Sequence, residues 1–191
     1  GGLQHAIRAF LQEFNKGEAK LILKINPAYN MPQEQLMQLI NKYIKEANKI
    51  EVPEIVAISS ILSPEQLNGL YNECDVFLNP TGAEAFSLPC IEAMACGKPV
   101  ITTNFGGQID YITEQNGWLI DYELKEVKHE IMYEGVSWAT PNLINLKSLM
   151  REAVNNPMKV LEKGIKSLET AKNWTWNNSA LKATQYLNEI V

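Results

Sequence analysis

The sequence is poor in the residues that mark several protein classes. Two histidines are too few for a histidine-rich metal site. Three cysteines, Cys74, Cys90 and Cys96, form an odd set with no CxxC pair. Each stands among apolar neighbours and reads as a small buried hydrophobe, which suits a reducing cytoplasm. A basic surplus is also missing: 17 lysines and arginines face 22 acids, a net charge of -5. A general binder of nucleic-acid backbones shows the opposite balance, so no nucleic-acid partner is expected, although a few local cations could still serve a small anion. No apolar run approaches the ~20 residues of a membrane span, and no secretory signal opens the chain. Position 1 is not methionine, so the chain is expected to be part of a longer protein. Internal repeats and low-complexity tracts are lacking too. What remains is ordinary globular material, 46% apolar, 20% charged and 8% aromatic over 191 residues, enough for one self-sufficient core.

Periodicity organises that material. Leu3, Ala6, Ile7, Phe10, Leu11 and Phe14 recur at helical spacing. Strands are predicted at 19–25, 53–59, 75–78, 99–102 and 118–120. Between them fall helices at 33–48, 63–74 and about 89–96, with Pro27 and Pro32 in the first loop. Ser63-Pro64-Glu65-Gln66 is a helix start: Ser63 caps, Pro64 suits the first turn, and Gln66 completes a capping box. Gly97 closes the helix that begins near Pro89. Strands alternating with helices predict an α/β fold with a doubly wound parallel sheet and helices on both faces. Ligands in such sheets bind at the carboxyl ends of strands, which directs attention to the loops after Leu78 and Thr103. The order opens on a helix, whereas a doubly wound domain opens on a central strand, so the first strand is expected upstream of Gly1. Residues 121–141 break the rhythm and read as an inserted surface loop docking by its aromatics. Three helices follow, at 142–155, 157–172 and 177–191.

The informative stretch is 79–100, NPTGAEAFSLPCIEAMACGKPV. Glu84 and Glu92 are separated by seven residues. In one unbroken helix they would share a face two turns apart. Pro89 favours a helix starting near Leu88, which leaves Glu84 just ahead of it and Glu92 one turn inside. The free amides of Phe86, Ser87 and Leu88 would then point at an anion favoured by the helix dipole. Carboxylates accept from paired hydroxyls, so Glu92 could hold a ribose and Glu84 a hexose. Two surface glutamates at this spacing also arise by chance; the surrounding order of strand, loop, proline, small-residue helix and GKPV strand is what adds weight.

That order, EAFSLPCIEAMACGKPVITTNFGG, closely resembles the E-x7-E region of retaining glycosyltransferases of the group 1 (family four) type. SPEQLNGLYNECDVFLNP resembles the family's lead-in, GGQIDYITEQNGWLI its GG loop and following strand, and NWTWNNSALKATQYL its last helix. Residues 3–25 are similar to its early helix and strand, and 121–141 are least alike. The resemblance implies the GT-B architecture of two Rossmann-like domains, with residues 1–191 as the C-terminal, nucleotide-sugar-binding half and the acceptor domain absent. By the same resemblance Glu84 contacts the transferred sugar, Glu92 the ribose, and the amides of Phe86, Ser87 and Leu88 the diphosphate or sugar hydroxyls. Gly106 and Gly107 line the cleft, and the loop 59–62 flanks the base. No metal and no cofactor beyond the nucleotide-diphosphate sugar is implied. The acceptor, a glycan or lipid-linked sugar, would meet the missing half, as would any peripheral membrane contact.

The sequence departs from the pattern in three places. Ser87 stands where the family has glycine, so its side chain must turn away from the ligand or donate to it. Asp110 replaces a common glutamate and reads as helix capping near Gln108. The family's phosphate-neutralising arginine and lysine belong to a loop that would precede Gly1, and Lys98 reads as a solvated surface charge. Trp174 and Trp176 read as packing for the last helix. A nucleotide-sugar 2-epimerase of the same architecture would need acid and base groups at the sugar, which are not evident. A non-catalytic nucleotide-binding module is the other alternative.

Overall fold

The computed structural model describes residues 2–25, 32–127 and 135–190. Helix α1 spans Gly2–Glu13 and buries Ala6, Ile7, Ala9, Phe10 and Leu11 along one stripe, as its spacing predicts. Strand β1 (Lys20–Lys24) follows, then α2 (Gln33–Ala47) and β2 (Glu54–Ile58), which pairs parallel to β1 with Leu21 opposite Ile55. Helix α3 (Pro64–Glu73) starts on the expected capping box. The Gln66 amide donates to Ser63 Oγ at 3.2 Å, and the Ser63 amide donates to Gln66 Oε1 at 2.9 Å. Pro27 lies outside the described residues.

A second parallel group comprises β3 (Phe77–Asn79), β4 (Val100–Thr103) and β5 (Gly117–Ile120) in that spatial order. Helix α4 (Leu88–Ala95) connects β3 to β4, and a 3-10 turn (Gly107–Asp110) lies between β4 and β5. Successive strand residues enter different cores. Ile101, Trp118 and Ile120 pack with α1 and with α5 (Leu143–Asn155). Val100 and Leu119 pack with α4 and with Ala171, the last residue of α6 (Pro157–Ala171). The sheet is therefore covered on both faces. Helix α7 (Trp176–Ile190) ends the described chain and buries none of its residues.

The two parallel groups share no hydrogen-bonded edge, yet Leu21, Ile55, Val76 and Leu78 all pack against one core. The Phe77 amide donates to Pro99 O and the Ile25 amide to Ile58 O. Because main-chain groups alternate sides along a strand, those of Leu78 and Lys24 face the opposite edges. Helix α1 begins beside the carboxyl end of β3, where a Cβ on Gly2 would sit 2.9 Å from Pro80 O.

One expectation needs correction. The described parts of 121–141 are not loop: β6 (Tyr122–Glu126) and β7 (Ser137–Pro141) form an antiparallel ribbon, with Leu124 opposite Ala139. The ribbon docks partly through main chain, Ala139 donating to Gly82 O at 2.9 Å. One aromatic does dock it, since the Tyr122 ring lies 5.2 Å from that of Phe105. Residues 128–134, including His129, lie outside the described residues. Of the cysteines, Cys90 is buried, while Cys74 and Cys96 are only half-buried; all three are free thiols.

Candidate functional site

The site is the loop that leaves β3 and turns into α4. Glu84 stands four residues before Leu88, and Glu92 is the fifth residue of the helix. The turn is made at Ser87, which adopts the left-handed conformation (φ 65, ψ 76). That backbone costs a non-glycine residue roughly 1 kcal/mol. Its side chain offsets part of the cost inside the protein: Ser87 Oγ donates to Cys90 Sγ at 3.2 Å, and Asn79 Nδ2 lies 3.3 Å from both atoms. The hydroxyl is thus buried and turned away from solvent, which explains how serine is tolerated there.

The peptide planes around this turn are oriented by Tyr111. Its hydroxyl lies 2.5 Å from Phe86 O and 3.0 Å from Ser87 O and donates to this pair of carbonyls. In a trans peptide the following N–H points opposite to the carbonyl. The amides of Ser87 and Leu88 are therefore directed away from Tyr111. The Phe86 amide follows the Ala85 carbonyl, which faces Gly107. None of the three amides meets a protein acceptor among the described residues. Free N–H groups and the helix dipole together favour an anion at this position. Phe86, Tyr111 and Trp174 brace the turn, with ring centroids 5.1, 5.7 and 5.3 Å apart.

Gly106 and Gly107 are brought to the site by close packing. The Gly107 amide donates to Glu84 O at 3.0 Å. A Cβ on Gly107 would lie 1.8 Å from Ala85 O, and one on Gly106, at φ 101, would lie 2.7 Å from Glu84 O. Only hydrogen fits between the two loops. Gln108, fully buried, anchors the glycine turn by donating to Phe105 O at 2.6 Å.

The carboxylates differ in setting. Glu84 is half-buried, and burial pushes its carboxyl above the usual 4.5, with the Thr81 hydroxyl pulling the other way. Glu92 is exposed and accepts from the Tyr71 hydroxyl at 3.0 Å. Burial, then the Glu92 charge, raises the Tyr71 phenol above its ordinary range.

Several sequence expectations change here. Lys98 is not simply solvated: its Nζ donates to Asn72 O near the end of α3 at 3.0 Å. Asp110 closes the 3-10 turn and caps nothing, that turn being preceded by Gly106 without a side-chain cap. Trp174 packs under Phe86, whereas Trp176 is 81% exposed. The loop 59–62 lies ahead of α3 with Ile61 84% exposed. Tyr111, Asn79 and Tyr71 escaped the sequence reading, since each acts through a residue distant in the chain. Two surface depressions of about 460 and 440 Å³ lie elsewhere, one beside Lys16 and Glu51, the other beside Glu114 and Lys166. Neither is lined by the residue that begins a helix, where free amides and the helix dipole act together, so the chemistry selects the α4 turn.

The chain is similar to known glycosyltransferases in sequence and in fold. The family model described as "Glycosyl transferases group 1" matches residues 39–132. A D-inositol 3-phosphate glycosyltransferase of Rhodococcus opacus is 28% identical over 138 residues, which is 72% of this chain and 27% of the relative. Sucrose-phosphate synthase of Thermosynechococcus elongatus superposes with a TM-score of 0.70 at 22% identity, over 99% of this chain and 42% of the other. Anabaena Alr3699/HepE, in complex with UDP-glucose, gives 0.66 at 18% identity, over 97% and 45%. The chain thus spans about a quarter to less than half of these proteins, and the structural likeness is one of fold, of the GT-B type. The sequence match over residues 39–132 makes the chain similar to the group 1 glycosyltransferases, and its fold is the one found in proteins of that kind.

Proposed function

We propose that this chain is the sugar-donor-binding, C-terminal domain of a retaining glycosyltransferase that moves a hexose from a nucleotide-diphosphate sugar to a hydroxyl acceptor in glycan or glycolipid synthesis. The observation that carries this reading is the α4 turn, where unpaired amides of Phe86, Ser87 and Leu88 stand between Glu84 and Glu92. The amides take the diphosphate, Glu92 the ribose hydroxyls and Glu84 the hydroxyls of the transferred hexose. Both acids must face sugars, because a carboxylate beside a phosphate is repelled. Gly106 and Gly107 let a second loop approach the same ligand. The UDP-glucose complex of the HepE neighbour supports a ligand of this class.

In this reading the bond from the anomeric carbon to the diphosphate breaks while the acceptor oxygen bonds on the same face. The acceptor proton passes to a diphosphate oxygen. The protein positions the reactants and stabilises developing charge through the helix end and basic side chains, without a metal ion. A further strand, supplied ahead of Gly1, would fill the space between β1 and β3 and lead into α1 beside Pro80, bringing its loop to the site. Three free thiols suit a cytoplasmic enzyme. Among the described residues no helix is long and apolar enough to cross a membrane, so contact with a lipid-linked acceptor would run through the other half.

Titration with UDP and with GDP tests the reading. Glu92→Ala is expected to lose binding; unchanged binding in that variant would favour a non-catalytic module. The isolated 191-residue chain is expected to fold without transferring sugar. Detectable transfer by that chain would contradict the division of labour.

A further inference from the structure

The proposed function assigns Glu92 to the ribose; the structure also shows what holds Glu92. It lies on the exposed side of α4, and among the described residues no lysine or arginine pairs with it. An exposed glutamate so placed would ordinarily move among rotamers. Here its Oε2 accepts the Tyr71 hydroxyl at 3.0 Å. Tyr71 comes from the last turn of α3, and helical side chains slope toward the helix start. That slope carries the ring up toward the carboxyl ends of the strands, where Glu92 lies. The ring itself is fixed, edge-on to Phe77 with centroids 5.8 Å apart, and packed on the core that holds Cys90 and Val100. The hydroxyl is thus presented by a rigid, half-buried platform.

A neutral partner has a particular consequence. A lysine or arginine at this place would neutralise the carboxylate and compete for its lone pairs. A phenol occupies one lone pair of Oε2 and leaves the charge intact, with Oε1 open to hydroxyl donors. Resting on the sugar-donor reading above, we propose that Tyr71 is a positioning residue for the nucleotide ribose: it locks the Glu92 carboxylate in the orientation that accepts the vicinal hydroxyls and so sets the preference for ribo- over deoxyribonucleotides.

The test compares wild type, Tyr71→Phe and Glu92→Gln. Phenylalanine keeps the ring on Phe77, and melting temperature checks that the fold is retained. Dissociation constants are measured for whichever of UDP or GDP binds wild type more tightly, and for its 2′-deoxy and 3′-deoxy counterparts. Tyr71→Phe is expected to weaken the ribonucleotide roughly three- to tenfold while leaving the deoxy analogues nearly unchanged. Glu92→Gln is expected to level the ribo/deoxy ratio. If Tyr71→Phe weakens all of them equally, or none, while Glu92→Gln still levels the ratio, the role of Tyr71 is overturned and the sugar-donor site stands. If Glu92→Gln leaves the ratio unchanged, or wild type binds neither nucleotide, the site assignment fails and this inference fails with it.

Discussion

Strand β4 buries all four of its residues, whereas β1 and β2 together bury only Leu23. The two parallel groups are built from the same alternation of strand and helix, so the difference lies in what surrounds them. Strand β4 has a neighbour on each edge, with α1 and α5 on one face and α4 on the other. Strand β1 has one paired edge, and β2 lies at the margin. Polar interactions follow the same division. Around β5, Lys163 is 5% exposed and donates to Gly117 O at 2.6 Å and to Glu114 O. Nearby Ser167 Oγ donates to Asn116 O, also at 2.6 Å. Around β1 and β2 the charged contacts are the surface pairs Lys16–Glu51, Lys20–Glu54 and Arg8–Glu46. Part-buried contacts there, from Lys49 to Phe14 O and from Arg151 to Glu13, reach α1 and the residue after it rather than strand carbonyls. The turn proposed to take the ligand is mounted on the better-braced group, as a site that holds its amides in one orientation requires.

Substitutions can break or sharpen that contrast. The largest effect is expected at Gly107, where an alanine Cβ would collide with Ala85 O at 1.8 Å. Gly107→Ala should cost about 3 kcal/mol and abolish nucleoside diphosphate binding, read by thermal unfolding and titration calorimetry. Next is Lys163→Met, which leaves the buried Gly117 carbonyl and the part-buried Glu114 carbonyl without their donor. It should cost about 2 kcal/mol in urea unfolding, with the nucleotide affinity of the surviving folded protein little changed.

The third effect is one of pH and is confined to the site. Burial of Glu84 disfavours its charged form, so its folded pKa is raised. Its contribution to stability is therefore present at acid pH and lost as pH rises through the raised value. On the proposed reading binding runs the other way, because the ionised carboxylate is the stronger acceptor of sugar hydroxyls. The affinity for a nucleotide sugar should fall as pH drops through that value, on a limb above 4.5. A titration series from pH 4 to 8 should show the limb in wild type and lose it in Glu84→Gln. The smallest effect belongs to the exposed pairs: Lys16→Met should change stability by less than ~0.5 kcal/mol. A cost equal to that of Lys163→Met would erase the contrast.

Local rules made part of this legible in the sequence. The Ser63–Gln66 box, the Pro89 start and the Gly97 stop of α4 each depend on residues a few positions apart, and each is found in place. Positions Glu84 and Glu92 around a short helix follow from the same kind of rule. What escaped is long in range. Nothing near Tyr111 in sequence announces that it orients carbonyls 24 and 25 residues earlier. Lys163 looks like any polar position of an amphipathic helix until β5 is laid against it. The β6–β7 ribbon was hidden because its strands are largely exposed, so pairing rather than burial defines them. Trp174 and Trp176, two residues apart, point to opposite fates, one braced against Phe86 and Tyr111 and the other in solvent.

The account rests on three amides presented to a diphosphate, and amide resonances report on that directly. Nitrogen-15 labelled protein titrated with UDP and with GDP should show its largest saturable proton and nitrogen shifts at Phe86, Ser87 and Leu88 with at least one of them. Saturable binding that leaves these three amides unmoved and shifts another surface, such as the one beside Glu114 and Lys166, would contradict it.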